Sequence, residues 1–426
     1  MSLDLTPGGL DQEIKAAEQY RNSFLAAWES RVRRFTGSGY RSDWCEPTVE
    51  NHGYEYISLT VPRIIFDNPR VKCSTLRPGT QRMVAQALRF GLNRWSKQSR
   101  IRNTLLRVAT DMSFAFGATL MCQKTMPGMD PRAASAPNWP AMHRLSPRQF
   151  FFDPLCMVFG EARYVGHCWT EDRAGLAARA AAEPGAGWNL DAIAALQEAG
   201  EDAEYHDRAA LQFVPDRKQV LLYEVWVPEV QTGDPDKGFH GTIYTVAAGQ
   251  GSGTSGALAS TWIREPRPYY GHRSGPYTLY GCYVVPDVPF PLSPLAAVES
   301  QAIDLDTHAK AANRSAASYK RVVLYDAGNP DLGQKLADAP HDFVVPVQGL
   351  QKDQVIAFEV GGITEQDIKH LAMMRERLDR SSGIHDAMRG NVSGKPTATE
   401  VAVADSAGTV RLAFVKQQFA DAVQQD

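Results

Sequence analysis

Apolar positions along this chain change their spacing several times, and each change marks an element. Across 10–36, Ile14, Ala17, Phe24, Leu25, Trp28 and Val32 recur at helical intervals, and Gly37-Ser38-Gly39 ends the run. The stretch 49–66 is rich in Tyr, Ile and Val and closes on the turn Asn68-Pro69. Helices are predicted over 81–97 and 99–115, with Gly117 breaking the pattern before a strand over 118–124. A Pro/Ala/Met loop at 126–140 follows, then 144–154, leading into short strands around 163–170. The Ala-rich 171–202 reads as helical, 220–227 and 241–248 as strands, and the Pro- and aromatic-rich 262–291 as extended chain.

The character changes at Ser293. Ser293 suits a helix cap, and Pro294 suits the first helical position, where its missing N–H costs nothing. Leu295, Val298, Ala302, Leu305, Ala309, Ala312, Ala316 and Tyr319 then alternate steps of three and four, a seam rich in alanine. One unbroken helix over 293–319 would be roughly 40 Å long. Strands are predicted at 321–325, 343–347 and 355–360, with a short helix over 331–339. The next helix starts at Thr364, with Asp367 answering it as a capping box. Its buried face is Ile368, Leu371, Met374 and Leu378, Arg375, Arg377 and Arg380 complement its dipole, and Gly383 ends it. Gly390 to Pro396 is a small-residue loop. Thr397-Ala398-Thr399-Glu400 is a capping box opening a last helix, with Val403, Ala407, Val410 and Phe414 on one side.

Composition narrows the class. With 426 residues, roughly two to four domains are expected, and 43% hydrophobic residues exclude wholesale disorder. Lys+Arg is 45 against 48 Asp+Glu, a net charge of -3. That balance does not suit a protein that coats DNA by counterion release. No secretory leader and no apolar run long enough to span a membrane is visible. The six cysteines, Cys45, Cys73, Cys122, Cys156, Cys168 and Cys282, form no C-x-x-C pair and suit reduced, mostly buried thiols. His167-Cys168 has no second ligand pair to answer it, so no metal is expected.

Other motifs have simpler readings. Gly251-Ser252-Gly253-Thr254-Ser255-Gly256 matches G-x-G-x-x-G, but a returning strand at Trp262-Ile263-Arg264 follows where a helix is needed, so a hairpin loop fits better. The string from Gly390 to Thr397 resembles a phosphate loop one residue short, and Pro396 removes an N–H that such a cradle uses. His385-Asp386 reads as a solvated loop. The cations Arg89, Arg94, Lys97, Arg100, Arg102 and Arg107 surround Trp95; the solvated side of two amphipathic helices explains them better than a nucleic-acid face. With no credible nucleotide site, neither catalysis nor a cofactor is expected. The rival class is a nucleotide-binding enzyme using one of the two Gly-rich loops.

The order of elements resembles the tailed-bacteriophage portal protein, the head-to-tail connector. The resemblance rests on Asp111-Met112-Ser113-Phe114-Ala115-Phe116-Gly117, on Ser146-Pro147-Arg148-Gln149-Phe150-Phe151-Phe152-Asp153-Pro154, and on Tyr223-Glu224-Val225-Trp226. It rests also on Pro289-Phe290-Pro291-Leu292-Ser293-Pro294 and Thr397-Ala398-Thr399-Glu400. It implies an α+β fold: a wing at 1–292, a first stem helix at 293–319, a clip at 320–363, a second stem helix at 364–382, a tunnel loop at 383–396 and a crown-proximal helix at 397–426. Stem packing would fall to Leu295, Val298, Ala302, Leu305, Ala309 and Ala312. Such chains usually continue into a crown.

The resemblance further implies a ring of about twelve subunits at one capsid vertex of a virion, assembled in the host cytoplasm. Double-stranded DNA would pass through it in packaging and ejection. Partners would be the terminase large subunit, the tail adaptor or head-completion protein, and the capsid and scaffold proteins, with no membrane. A low-friction channel suits the near-balanced charge. Asn391, Ser393 and Lys395 would face DNA from the tunnel loop. Glu299, Asp304 and Asp306 are channel-lining candidates that repel phosphate; a solvated outer helix face accommodates them equally. A different virion or secretion ring is the remaining class.

Overall fold

In a computed structural model, the described residues are 3–37, 48–65, 69–75, 79–125, 138–183, 185–196, 220–228, 239–247, 262–325, 334, 355–360, 362–384, 386–389 and 398–424. The fold mixes helix and sheet, as an α+β chain should. It divides into two compact units. The first comprises Met1–Glu46, Gly53–Ala297 and Ser382–Asp426; the second comprises Pro47–His52 and Val298–Ser381.

The first unit opens with α1 (Pro7–Thr36), whose start is capped by Thr6 accepting from the Gly9 N–H at 3.2 Å. It buries Leu10, Ile14, Ala17 and Trp28, the predicted face with one turn added. The stretch rich in Tyr, Ile and Val is a helix, α2 (His52–Ile64), with Pro62 in its last turn. Then come α3 (Thr80–Gln98) and α4 (Ile101–Phe114).

Two antiparallel sheets follow. The strands β1 (Gly117–Thr125), β2 (Asn138–Leu145) and β8 (Tyr277–Tyr280) form one, in the order β2-β1-β8. The end of the expected Pro/Ala/Met loop is thus strand: Trp139 pairs with Lys124 and Pro140 with Gln123. The second sheet has five strands in sequence order: β3 (Phe150–Phe152), β4 (Val165–Glu171), β5 (Val220–Val227), β6 (Thr242–Ala247) and β7 (Arg264–Pro268). Only two short helices, α5 (Arg173–Ala182) and α6 (Leu190–Ala195), occupy the described part of the Ala-rich stretch. The hairpin β9 (Tyr283–Val285) and β10 (Val288–Leu292) leads to α7 (Pro294–Ala297).

The second unit holds α8 (Glu299–Ala317), the antiparallel pair β11 (Lys320–Tyr325) and β12 (Val355–Val360), and α9 (Glu365–Ser382). The single long helix expected over 293–319 is interrupted. Val298 has φ -115° and ψ 8°, so α7 and α8 are separate, and the break falls where the first unit ends. The chain then rejoins the first unit through α10 (Asp386–Arg389) and α11 (Ala398–Val423). The short helix expected over 331–339 and the strand over 343–347 lie outside the described residues, apart from Gln334.

Candidate functional site

The passage into the helical insertion is built from aromatic packing. Phe290 is its hub, with ring centroids 4.6 Å from Phe24, 4.7 Å from Phe152, 5.1 Å from Phe116 and 5.3 Å from Tyr20. The Ser293 hydroxyl donates to the Phe114 carbonyl at 3.0 Å and accepts from the Ala296 N–H at 3.1 Å. The predicted Ser-Pro helix start is therefore formed, and it ties the end of α4 to the start of α7. Gly117 sits where a Cβ would fall 2.5 Å from Val108 Cγ1, so only glycine lets β1 turn back on α4.

The segment from Ser146 to Pro154 does structural work. Phe150, Phe151 and Phe152 are fully buried. Asp153 takes a forked pair of hydrogen bonds from Arg163, at 2.6 and 3.0 Å, and one from the Leu155 N–H at 3.0 Å. Burial alone would raise the Asp153 pKa; the bonds from Arg163 outweigh it and hold the carboxylate below its usual range. Asp111 pairs with Arg144 through two contacts, one at 2.8 Å. Burial pushes that carboxyl up, against the pull of Arg144. Sequence reasoning missed both arginine partners, which lie 33 and 10 residues away in the chain.

The His167-Cys168 neighbours sit on one strand, so their side chains point to opposite faces. His167 Nδ1 lies 2.9 Å from the Tyr277 hydroxyl. Burial pushes the thiol of Cys168 up to about 12, that of Cys282 to about 12 and that of Cys156 to about 11. None of these three is poised as a thiolate.

In the second unit, Val298, Leu305 and Leu378 form the buried cluster, with Ala302, Leu371 and Met374 packed against it. Ala309 is buried and Ala312 half-buried. Two expectations need correction. Leu295 lies before the break and packs into the core of the first unit instead. Ile368, one turn before Leu371, is exposed.

Asp306 is also corrected as a channel-lining candidate. It is buried, and its Oδ1 accepts the N–H groups of Val49 at 2.6 Å and Glu50 at 3.2 Å, while Oδ2 receives Lys310 at 2.6 Å. Burial would raise its pKa; Lys310 and the two amides outweigh that and lower it. This carboxylate ties 47–52 to α8 rather than facing water. Asp304 is exposed and Glu299 half-buried. An exposed cross-helix pair, His308 against His370 with centroids 5.2 Å apart, was not foreseen because 62 positions separate the two residues.

The tunnel-loop residues Asn391, Ser393 and Lys395 lie outside the described residues, as do Gly251–Gly256 at 251–256 and His385. The flanks are described. Gly383 takes φ +79° directly after α9, as expected of a helix-ending glycine. Arg389 donates to Glu55 at 2.5 Å, and Arg63 donates to the Met388 carbonyl at 3.3 Å, pinning α10 to α2. Beyond the loop, α11 buries Val415, Phe419 and Ala422. Ile384 joins them in one core. The face expected for α11 is displaced: Val410 and Phe414 are exposed, though Phe414 stacks on Tyr283.

The cations between 89 and 107 line the outer sides of α3 and α4, with Arg102 half-buried and the others exposed. Among the described residues, no helix is long and apolar enough to cross a membrane. No protein-family model matches the chain, and no curated protein matches it.

Proposed function

We propose that this chain is the subunit of a portal-like ring at a phage capsid vertex, a passive conduit for double-stranded DNA during packaging and ejection. The observation that carries the reading is the order of the two units. The chain leaves the first, makes helix, antiparallel strand pair and helix as a separate compact body, and returns to the first. That is the order wing, stem, clip, stem and tunnel loop.

On this reading α8 and α9 are the stem and β11 with β12 belongs to the clip, which docks the terminase motor and later the tail adaptor. Asp304 and Glu299 remain the candidates for a wall that repels phosphate; with few cations against it, duplex DNA slides instead of sticking. Lys395, with Asn391 and Ser393, touches the duplex transiently. Electron microscopy of the purified protein tests the reading. Closed rings with a central opening wide enough for a duplex are expected; single subunits or small dimers under all conditions, including with scaffold, would overturn it. Lys395→Ala should reduce DNA retention in particles without altering the ring.

A further inference from the structure

The helix α3 is an amphipathic element with its apolar side turned outward. Its inner side is fixed: Trp95 Nε1 donates to the Pro140 carbonyl at 2.7 Å, and the Asn93 amide holds both the N–H and the carbonyl of Val71, at 3.1 and 3.0 Å. Met83, Ala87 and Phe90 recur at i, i+4 and i+7 on the far side. Met83 is 71% exposed and Phe90 70%, and Val84 and Leu88 beside them are exposed too. A helix whose large apolar residues face water on this scale marks a contact surface. Its charges are all of one sign: Arg82, Arg89, Arg94 and Lys97 are exposed, and no acidic residue occurs between Thr80 and Gln98.

The same unit carries a second patch of opposite character. In the segment 154–161, Leu155 is 72% exposed and Met157 64%, with Val158 exposed beside them. The one charge in that segment is Glu161, which is exposed. The segment is held rigidly from beneath, by Asp153 accepting the Leu155 N–H and by the buried Cys156.

We propose that the outer face of α3 docks on the 154–161 segment of a second copy of this chain. Apolar meets apolar, and the arginines of α3 meet Glu161. Each copy carries both halves, and the halves differ, so the contact is head-to-tail. Such a contact repeats from copy to copy and closes into a ring where the rotation allows. The inference rests on the ring reading, for which it supplies the joint without which neighbours do not associate. A membrane surface is the competing occupant for a basic amphipathic helix; it would leave the exposed 154–161 patch without a partner, which the contact between copies does not.

The test uses full-length Phe90→Asp and Met157→Asp, both at exposed positions, with thermal melts confirming that each variant folds. Each alone should lose every species above one subunit in sedimentation velocity. Mixed one to one, they should give a two-subunit species and nothing larger, because one copy keeps its α3 face and the other its 154–161 segment. Wild-type-like assembly by either variant would overturn this contact alone and leave the ring reading standing; so would a mixture that stays single. A wild-type chain that never associates would overturn both. Binding of α3 to vesicles of anionic phospholipid, lost in Phe90→Asp while assembly persists, would assign the face to a membrane instead.

Discussion

The two units differ in what fills their cores. The first packs around aromatic rings, with Phe290 alone touching four others, and pairs Asp111 with Arg144 and Asp153 with Arg163, while Met83, Phe90, Leu155 and Met157 of the same unit stay exposed. Among its described residues, the second has a cluster of three buried aliphatic residues and leaves Ile303, Ile363, Ile368 and Tyr319 exposed. Among the described residues α8 and α9 share the thinner apolar core, so each residue in it carries a larger part of that unit's stability.

The sharpest way to separate the units is to cut each core. Phe290→Ala should cost about 3–5 kcal/mol, read as a shift in urea unfolding of the first unit. Leu378→Ala should cost about 2–3 kcal/mol, with hydrogen exchange speeding up in α8 and α9 while β4 and β5 stay protected. If β4 and β5 lose protection equally, the two units do not unfold separately. Asp306→Ala should cost about 1–3 kcal/mol, since it strands the Val49 and Glu50 amides and Lys310. Ser293→Ala, which loses a helix cap, should cost about 1 kcal/mol.

Acid should distinguish the units as well. Burial holds His167 neutral and its pKa below the ordinary 6.5. Its contribution is therefore complete above pH 6.5 and is lost as pH falls from there toward the folded value. Asp306 is held below the ordinary 3.8, so its contribution is present above pH 3.8 and lost as pH falls through the lower folded value. Melting of the first unit should begin to drift at mildly acidic pH. His167→Gln should flatten that drift, whereas the Asp306 contribution should persist to much lower pH.

Local rules made much of this fold legible. Thr364 and Asp367 exchange hydrogen bonds as the capping box predicts, Ser293 caps α7, and Gly383 ends α9. Period and strand composition found β4, β5 and β6. What stayed hidden depends on partners distant in sequence. The break at Val298 has no glycine or proline of its own to announce it. Asp306 looked like any solvated helix acid because its partners, Val49 and Glu50, lie more than 250 positions away. On α3 the periodicity was visible, but period alone does not say whether an apolar face looks inward or outward. The displaced face of α11 arises the same way: Val415, Phe419 and Ala422 repeat at helical spacing as Val410 and Phe414 do, and tertiary packing buried the first set.

The proposal that this chain forms a portal-like ring, with α8 and α9 as its stem, is tested most directly by hydrogen exchange on assembled and dissociated protein. Protection in α8 and α9 should rise strongly on assembly, while β4 and β5 change little. Equal protection of α8 and α9 in both states would contradict the claim, because helices that need no neighbour gain nothing from one.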